Sequence, residues 1–245
     1  MPENFLYFDT ETTDVQAKDI IQLALVSDDG ISLNMYFKPI QDISIAAMAV
    51  HHITPEFLDD KPTFEQSVYN DKPLKEYLES LGEKYIWVAH NAEFDLEVLY
   101  KKGIRIPKSI CTFKLARNMF AEDEGKRDLE SYSLQYLRYY LGLYRDENVE
   151  HNTAHDALSD VHFVRDLFKY IQDKGKFRME DMMTISKEPQ YIRSVNFGKY
   201  SGRTLEDIAK IDREYLQWLR ETVSDKPDLV WNIERVLGIN NMKLF

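Results

Sequence analysis

Three short motifs place acidic side chains in segments that otherwise carry the apolar pattern of a protein core. The first is Asp9-Thr10-Glu11, which ends an apolar run that begins at Phe5. Because side chains alternate along a β-strand, Asp9 and Glu11 leave the strand on the same face. A pair of this kind, taken alone, is more often the surface end of a strand than a catalytic site.

The second motif covers residues 90–95 and has the sequence His-Asn-Ala-Glu-Phe-Asp. On a helix that begins after Asn91, Asp95 shares the apolar stripe of Val98 and Leu99, so its carboxylate is predicted to face inward. A buried carboxylate is costly unless it is paired or bound to a metal ion. Two interpretations stay open: a structural Asp that caps a helix or pairs with arginine, and a metal ligand.

The third motif covers residues 155–160, His-Asp-Ala-Leu-Ser-Asp, and leads into a helix predicted over 157–173. Asp160 lies in the middle of the apolar stripe of that helix, which continues with Val164. The stripe contains no Lys or Arg, so we do not expect a cation at the same depth. His155 precedes the helix and can turn toward a ligand, although a lone histidine is more often an ordinary, partly exposed residue.

Four carboxylates directed at one region repel each other unless positive charge lies between them, and two divalent ions supply that charge. Carboxylate oxygens favour Mg²⁺ or Mn²⁺, and the chain lacks the cysteines and clustered histidines that zinc sites use. Two ions about 3.5 to 4 Å apart can activate a water and stabilise a leaving oxygen, as phosphodiester hydrolysis requires. His155 would act as the general base. The proposed carboxylates are Asp9, Glu11, Asp95 and Asp160.

A sheet and its covering helices must position these motifs. Apolar runs and turn residues predict an antiparallel start of three strands, then strands mixed with helices, which indicates an α/β domain with a mixed sheet. A loop punctuated by prolines is expected between the third strand and the first helix. The predicted strands are Phe5–Thr10, Ile20–Val26, Ile31–Phe37 and Tyr85–Ala89, and the predicted helices of this domain are Leu74–Leu81, Asn91–Lys102, Phe113–Phe120, Ser133–Leu141 and Ala157–Asp173.

A second compositional unit follows and is predicted to be small and mostly helical. It opens with interleaved aromatic and basic side chains, among them Phe197, Lys199 and Tyr200. These could grip a nucleic-acid strand by stacking and phosphate contacts. The alternative, which the sequence favours slightly, is a packing module whose aromatic residues form its core. The expected organisation is a catalytic domain over residues 1–175, a linker over 176–193 and a C-terminal module over 194–245.

Composition excludes several classes of protein. With 44% apolar residues, 9 Gly and 8 Pro, the chain is typical of a globular protein. The single cysteine, Cys111, excludes an internal disulfide and a cysteine-rich zinc site, so we expect a reducing, cytoplasmic compartment. The apolar runs fall far short of the roughly 18 residues of a membrane helix, and the N-terminus lacks a basic region and a cleavage site. Neither a membrane span nor a signal peptide is expected.

Charge is distributed unevenly along the chain. The formal net charge of -11 by itself argues against nucleic acid as a partner. However, residues 1–100 hold 6 basic against 19 acidic side chains, whereas residues 101–200 hold 18 against 15. The middle block contains a basic stretch that is either a solvated rim or an edge that contacts phosphates. This stretch comprises Lys101, Lys102, Arg105, Lys108, Lys114 and Arg117.

The order of the motifs, Asp-x-Glu, His-Asn-x-x-Phe-Asp and His-x-x-x-x-Asp, resembles the DnaQ-like exonuclease superfamily, in the subclass with histidine in its third motif (DEDDh). The resemblance implies an α/β, ribonuclease-H-like mixed sheet flanked by helices. It implies two Mg²⁺ ions, for which Mn²⁺ substitutes, and the release of nucleoside 5′-monophosphates from 3′ ends. Mapped onto this chain, it implies metal binding by Asp9, Glu11, Asp95 and Asp160, with His155 as general base.

Further segments resemble the exodeoxyribonuclease X group of this superfamily: residues 47–54, residues 110–117 and the start of the tail. His52 stands where the superfamily usually has glycine. The family fold places the loop after His52 and the turn at Asn91 beside the terminal nucleotide, and a wedge under the terminal base is a hypothesis for Val15 and Gln16. The candidate substrate contacts are Thr10, Thr12, Val15, Gln16, His51 and Asn91.

The leading interpretation is a two-metal 3′–5′ DNA exonuclease that acts in repair. An RNA 3′-end exoribonuclease stays open because the metal chemistry does not depend on a 2′-hydroxyl, and a proofreading subunit is a further possibility. A catalytically silent nucleic-acid-binding scaffold is the alternative from another class, against which the intact motifs argue. The expected partners are DNA with a free 3′ end, single-stranded or duplex, and repair or replication proteins, with no membrane. We expect weak, salt-sensitive, distributive engagement of DNA.

Overall fold

The computed structural model describes residues 4–14, 19–121, 129–146 and 157–239. These residues form two compact units, the first from residues 1–113 and 133–176 and the second from residues 114–132 and 177–245. None of the described helices combines the length and the apolarity that a membrane crossing requires.

The first unit is built on a mixed five-stranded sheet. The strands are β1 Phe5–Thr12, β2 Ile20–Ser27, β3 Ser32–Tyr36, β6 Ile86–Ala89 and β7 Ser109–Cys111, while β4 Val68–Tyr69 and β5 Lys72–Pro73 form a separate hairpin. The order in the sheet is β3-β2-β1-β6-β7. Strand β2 is antiparallel to both β1 and β3, whereas β6 pairs in parallel with β1 and β7 in parallel with β6. The predicted antiparallel start and mixed α/β sheet are therefore confirmed.

Helices accompany this sheet. In the first unit they are α1 Ile45–His51, α2 Pro55–Leu58, α3 Leu74–Gly82, α4 Ala92–Lys101, α6 Leu134–Tyr140 and α7 Ala157–Lys174, whereas α5 Thr112–Ala121 begins at the end of this unit and belongs mostly to the second. The prediction of a loop between β3 and α3 was wrong in part, because α1, α2 and the β4-β5 hairpin lie there. Local capping explains where α1 and α2 begin. Ser44 accepts a hydrogen bond from the Ala47 amide at the start of α1, and Thr54 caps α2, which opens with Pro55.

The central strand β1 separates two packing layers. On one face, Phe5 and Tyr7 lie against Phe168 of α7, with ring centroids 4.9 and 6.1 Å apart. On the other face, Phe8 packs edge-on against Trp87 at 5.0 Å. Because side chains alternate along a strand, the row that begins with Phe5 and Tyr7 continues on the α7 side.

The second unit contains α8 Met179–Lys187, α9 Leu205–Ile211, α10 Arg213–Thr222 and α11 Pro227–Leu237. Helix α8 falls inside the segment interpreted as a linker, and the predicted domain boundaries stay a prediction. The last three helices enclose a core of aliphatic side chains. This core comprises Val195, Leu205, Ile208, Leu216, Leu219, Val223, Leu229, Ile233 and Leu237.

Candidate active site

Three carboxylates meet where β1 ends and α7 begins. Asp9, Glu11 and Asp160 each offer an oxygen, and these atoms all lie within 4.8 Å of one another. Asp9 and Glu11 are half-buried, and Asp160 is only 9% exposed. Such proximity raises the electrostatic energy of three ionised groups unless a cation lies between them. The group is therefore a candidate metal centre.

Local periodicity brings these side chains together. Asp9 and Glu11 continue the row of β1 that faces α7, as the alternation predicted. Asp160 lies in the first turn of α7, where unpaired N–H groups favour negative charge. The stripe that carries it is buried, as expected, with Val164 and Phe168 fully enclosed.

Asp160 is held by a hydrogen-bond relay from α6. Gln135 Nε2 donates to Asp160 Oδ1 at 3.0 Å, and Arg138 Nη1 donates to Gln135 Oε1 at 3.0 Å. Arg138 is 6% exposed, and its guanidinium lies 4.0 Å from the ring centroid of Phe163 on α7. The positive charge nearest to Asp160 in this relay is therefore Arg138 on the neighbouring helix α6, and the Gln135 side-chain amide links the two residues.

Sequence reasoning missed this relay. The available signal was the three-residue spacing of Gln135 and Arg138, which places both side chains on one face of a short helix. Nothing in that spacing identifies Asp160 as the acceptor.

Asp95 approaches β1 from the opposite layer. Its Oδ1 accepts hydrogen bonds from the Thr10 amide at 3.0 Å and from the Thr10 hydroxyl at 2.6 Å, and Asp95 is 3% exposed. Thr10 points to the other face of the strand from Asp9 and Glu11, so Asp95 reaches the strand end from the α4 side. Asp95 is therefore buried as predicted. Among the described residues, it is not part of the three-carboxylate group.

Two candidate substrate contacts lie near this strand end. Thr12 is buried, and its hydroxyl lies 3.5 Å from the Asp14 carbonyl oxygen. Asn91 is exposed and immediately precedes α4, as predicted, with a left-handed backbone at φ 61°. Its side chain makes no capping hydrogen bond within the described part of the chain. Its polar group is thus presented to solvent.

His51 ends α1 and is 6% exposed. Its Nδ1 accepts a hydrogen bond from the Ile53 amide at 3.0 Å. Burial lowers the pKa of the His51 imidazole, an effect that the Thr12 backbone partly offsets. The ring is therefore neutral at pH 7, and Nε2 carries the proton. Within the described ranges, Nε2 makes no hydrogen bond of standard geometry, although the Thr12 backbone lies near enough to act on the ring.

His52 adopts the left-handed conformation, with φ 60° and ψ 14°. Glycine adopts this conformation without steric cost, whereas a residue with a Cβ atom is strained there. The backbone at His52 thus keeps the left-handed conformation that the glycine of the resembling superfamily would adopt easily.

Three predicted site residues lie outside the described residues: His155, Val15 and Gln16. Residues 122–128 also lie outside them.

Three cations of the basic stretch make structural contacts. Lys102 makes ion pairs with Asp19 and Glu65 at 3.0 and 2.8 Å. Lys114 is 5% exposed and donates to a backbone carbonyl at 2.6 Å, and Arg117 Nε donates to another at 2.9 Å. These three cations therefore have structural contacts inside the units to which they belong.

The aromatic and basic start of the tail is likewise used in packing. Tyr200 packs edge-on against Tyr215 at 5.0 Å, and its hydroxyl donates to Asp212 at 2.8 Å. Lys199 also binds Asp212 at 2.8 Å, and the hydrogen bonds from Lys199, Tyr200 and the Tyr215 amide together lower the pKa of Asp212 to about 2. Gly198 has a φ of +70°, and a Cβ atom there would lie 2.7 Å from the Tyr215 hydroxyl. For Tyr200 and Lys199, the packing interpretation holds.

Comparison with known proteins identifies the family. Residues 6–168 match the Exonuclease family of the RNase T type, and residues 195–221 match the exodeoxyribonuclease X-like C-terminal family. The chain belongs to this exonuclease family. The predicted enzyme class, an exonuclease that hydrolyses phosphodiester bonds, is thereby confirmed.

Individual relatives agree with the predicted resemblance. The chain is 31% identical over 237 residues to exodeoxyribonuclease 10 of Escherichia coli K12, covering 94% of this chain and 96% of the relative. It is 26% identical to DNA polymerase III subunit epsilon of Buchnera aphidicola from Acyrthosiphon pisum, covering 93% of this chain and 98% of that protein. The resemblance to the exodeoxyribonuclease X group is confirmed.

Solved structures confirm the ribonuclease-H-like fold. Exonuclease X in complex with 5′ overhanging duplex DNA superposes with a TM-score of 0.55 and 29% identity, covering 74% of this chain and 99% of that one. Exonuclease I of E. coli in complex with a dT13 oligonucleotide has a TM-score of 0.54 at 19% identity, covering 70% of this chain and 41% of that one, and shows the fold alone.

Proposed function

We propose that this exonuclease is a divalent-metal-dependent 3′–5′ exodeoxyribonuclease that acts at DNA 3′ ends. The observation that carries the proposal is the convergence of Asp9, Glu11 and Asp160 within 4.8 Å at the end of the central strand. The similarity to exodeoxyribonuclease 10 over nearly the whole chain supports DNA as the substrate.

The donor set suits Mg²⁺. The clustered donors are carboxylate oxygens, which are hard ligands, and partial burial of charged groups at this spacing is unfavourable without a cation. Asp9, Glu11 and Asp160 would hold two ions, with Asp95 as the predicted fourth ligand and Mn²⁺ as a substitute. When bound, the ions would supply activation of a water and stabilisation of the leaving 3′-oxygen.

The chain's own residues divide the remaining tasks. Gln135 orients Asp160, and Thr10 orients Asp95. His155 is proposed as the general base that takes a proton from the attacking water. The water oxygen bonds to phosphorus while the bond from phosphorus to the 3′-oxygen of the preceding nucleotide breaks. That oxygen keeps the electron pair and takes up a proton from solvent, so the shortened strand ends in a 3′-hydroxyl and a nucleoside 5′-monophosphate is released.

The substrate contacts stay predictions. The Nε2–H group of His51 is a buried donor and suits a contact with the terminal nucleotide. Asn91 presents its side chain to solvent at the start of α4. The other proposed contacts are Thr10, Thr12, Val15 and Gln16.

We propose DNA repair as the setting, with single-stranded or duplex 3′ ends as substrates. Exonuclease X, a structural relative, is described with a 5′ overhanging duplex, in which the 3′ end is recessed. An RNA substrate remains the alternative for this metal chemistry.

One assay tests the function. DNA and RNA of the same sequence, labelled at the 3′ or the 5′ end, are incubated with Mg²⁺ or with EDTA. We expect early release of mononucleotides from 3′-labelled DNA, Mg²⁺ dependence, and a loss of more than about 10²-fold in Asp160→Asn. Asp166→Asn, a partly exposed position on the same helix, serves as the matched control.

Each departure from this result has a defined meaning. Activity that persists in EDTA or in Asp160→Asn would contradict the metal centre. Faster hydrolysis of RNA would assign the chain to the exoribonuclease alternative, and DNA binding without hydrolysis would favour the scaffold.

A further inference from the structure

A group of tyrosines, most of them exposed, lies on and just after α6, the helix whose Gln135 binds Asp160. Tyr139, Tyr140 and Tyr144 are 58%, 51% and 41% exposed, and Tyr136 is half-buried beside them. We call these four residues the tyrosine surface. Exposed aromatic groups on this scale mark interaction sites more often than scattered surface residues do.

The rings are arranged in two pairs. Tyr136 and Tyr140 are nearly parallel, with centroids 5.9 Å apart and an interplanar angle of 14°. Tyr139 and Tyr144 are 5.4 Å apart at 44°. Exposed, flat faces of this kind can stack on nucleic-acid bases of any sequence.

The tyrosine surface is continuous with the metal centre through short contacts. Gln135, which binds Asp160, lies one helical turn before Tyr139, a spacing that puts Cβ atoms about 5 to 6 Å apart. Arg138 joins them, because its Nη1 lies 3.0 Å from Gln135 Oε1 and 3.5 Å from the Tyr139 hydroxyl. A strand whose 3′ end lies at Asp160 would therefore pass close to this surface.

The charge of the chain also favours a nucleic-acid strand that is held by base stacking. The chain has a net charge of -11, and Lys102, Lys114 and Arg117 of the basic stretch have structural contacts. Electrostatic attraction to phosphates is thus weak, whereas stacking does not depend on net charge. Arg145 is exposed and lies 5.7 Å from the Tyr144 ring centroid, where it can meet one phosphate.

We propose that the tyrosine surface is a stacking platform for the bases of single-stranded DNA just upstream of the nucleotide being removed. This rests on the proposed function, since it assumes a 3′ end at Asp160. The platform fixes the strand by ring contacts and contributes little to salt dependence.

The test measures binding and hydrolysis separately. Binding of a labelled single strand of about 12 nucleotides is measured on the Asp160→Asn background with Mg²⁺ present, because that variant leaves the strand intact. Replacing Tyr139, Tyr140 and Tyr144 together by Ala is expected to weaken binding about tenfold or more, without a change in the salt slope. When the same three Ala substitutions are made in the active enzyme, KM for the long strand should rise by the same factor as binding weakens. KM for a dinucleotide should rise less than about twofold.

Two controls define the cause. Phe at the same three positions keeps the rings and should restore binding. Tyr100→Ala removes an equally exposed tyrosine, 57% exposed and also beside an arginine, and should have no effect. Unchanged binding in the Ala variant, equal losses for long and short substrates, or a loss in the Phe variant would overturn the proposal. If the wild type binds the strand and the Ala variant does not, yet neither hydrolyses it, only the proposed function fails.

Discussion

At the scale of single residues, the candidate site depends on groups that orient carboxylates. Asp160 is fixed by Gln135, which is itself fixed by the buried Arg138. Asp95 is fixed by two hydrogen bonds from Thr10. Mutation of the partners that orient metal ligands commonly lowers metal affinity or activity by about 10- to 100-fold.

We therefore predict that Gln135→Met, which keeps length but loses the amide, raises the Mg²⁺ concentration for half-maximal activity about tenfold or more. Activity at saturating Mg²⁺ should fall less, because the ligands remain. The measurements are a Mg²⁺ titration of activity and direct titration of the protein with Mn²⁺. Gln217→Met, at an exposed position of α10, is the control. Unaltered Mn²⁺ affinity in Gln135→Met would show that the relay has only a structural role.

At the scale of elements, left-handed backbone conformation limits which side chains two positions can accept. Helix α1 ends at His51, and the left-handed His52 turns the chain toward α2. In the tail, Gly198 is left-handed and packed against Tyr215, so no side chain fits there. Both positions are set by local geometry and not by contacts of their own side chains.

His52 provides a direct test of this conclusion. His52→Val should lower the free energy of unfolding by about 1 to 2 kcal/mol, because a β-branched residue is strained in the left-handed region. His52→Gly should be neutral within about 1 kcal/mol, since relief of strain offsets the larger entropy of the unfolded chain. Urea denaturation of the two variants measures both changes. Equal stability of the Val and Gly variants would contradict a left-handed residue at this position.

At the scale of the whole molecule, negative charge is concentrated in the first hundred residues of the chain. The first hundred residues hold 19 of the 42 acidic side chains but only 6 of the 31 basic ones. Three of those acids, together with Asp160 and the predicted general base, make up the proposed centre. Divalent ions would therefore lower the electrostatic energy of the folded chain as well as enable chemistry.

We accordingly predict that Mg²⁺ or Mn²⁺ raises the Tm relative to EDTA. An ion present at 100 times its Kd would add about 2.7 kcal/mol to the free energy of unfolding. Thermal denaturation should show the increase in the wild type and a much smaller one in Asp160→Asn. Sodium chloride at matched ionic strength controls for screening, and an equal Tm in both salts would argue against a specific centre.

The sequence by itself determined the features that depend on local periodicity. The alternation of β1 placed Asp9 and Glu11 on one face, and the helical stripe of α7 buried Asp160, because both patterns follow from backbone geometry. The tertiary structure alone decided how separate segments meet. It brought Gln135 to Asp160 and Thr10 to Asp95, engaged Lys102 and Arg117 internally, and built helices where prolines had indicated a loop. Hydrogen-bond partners distant in sequence are chosen by packing, and no spacing along the chain encodes them.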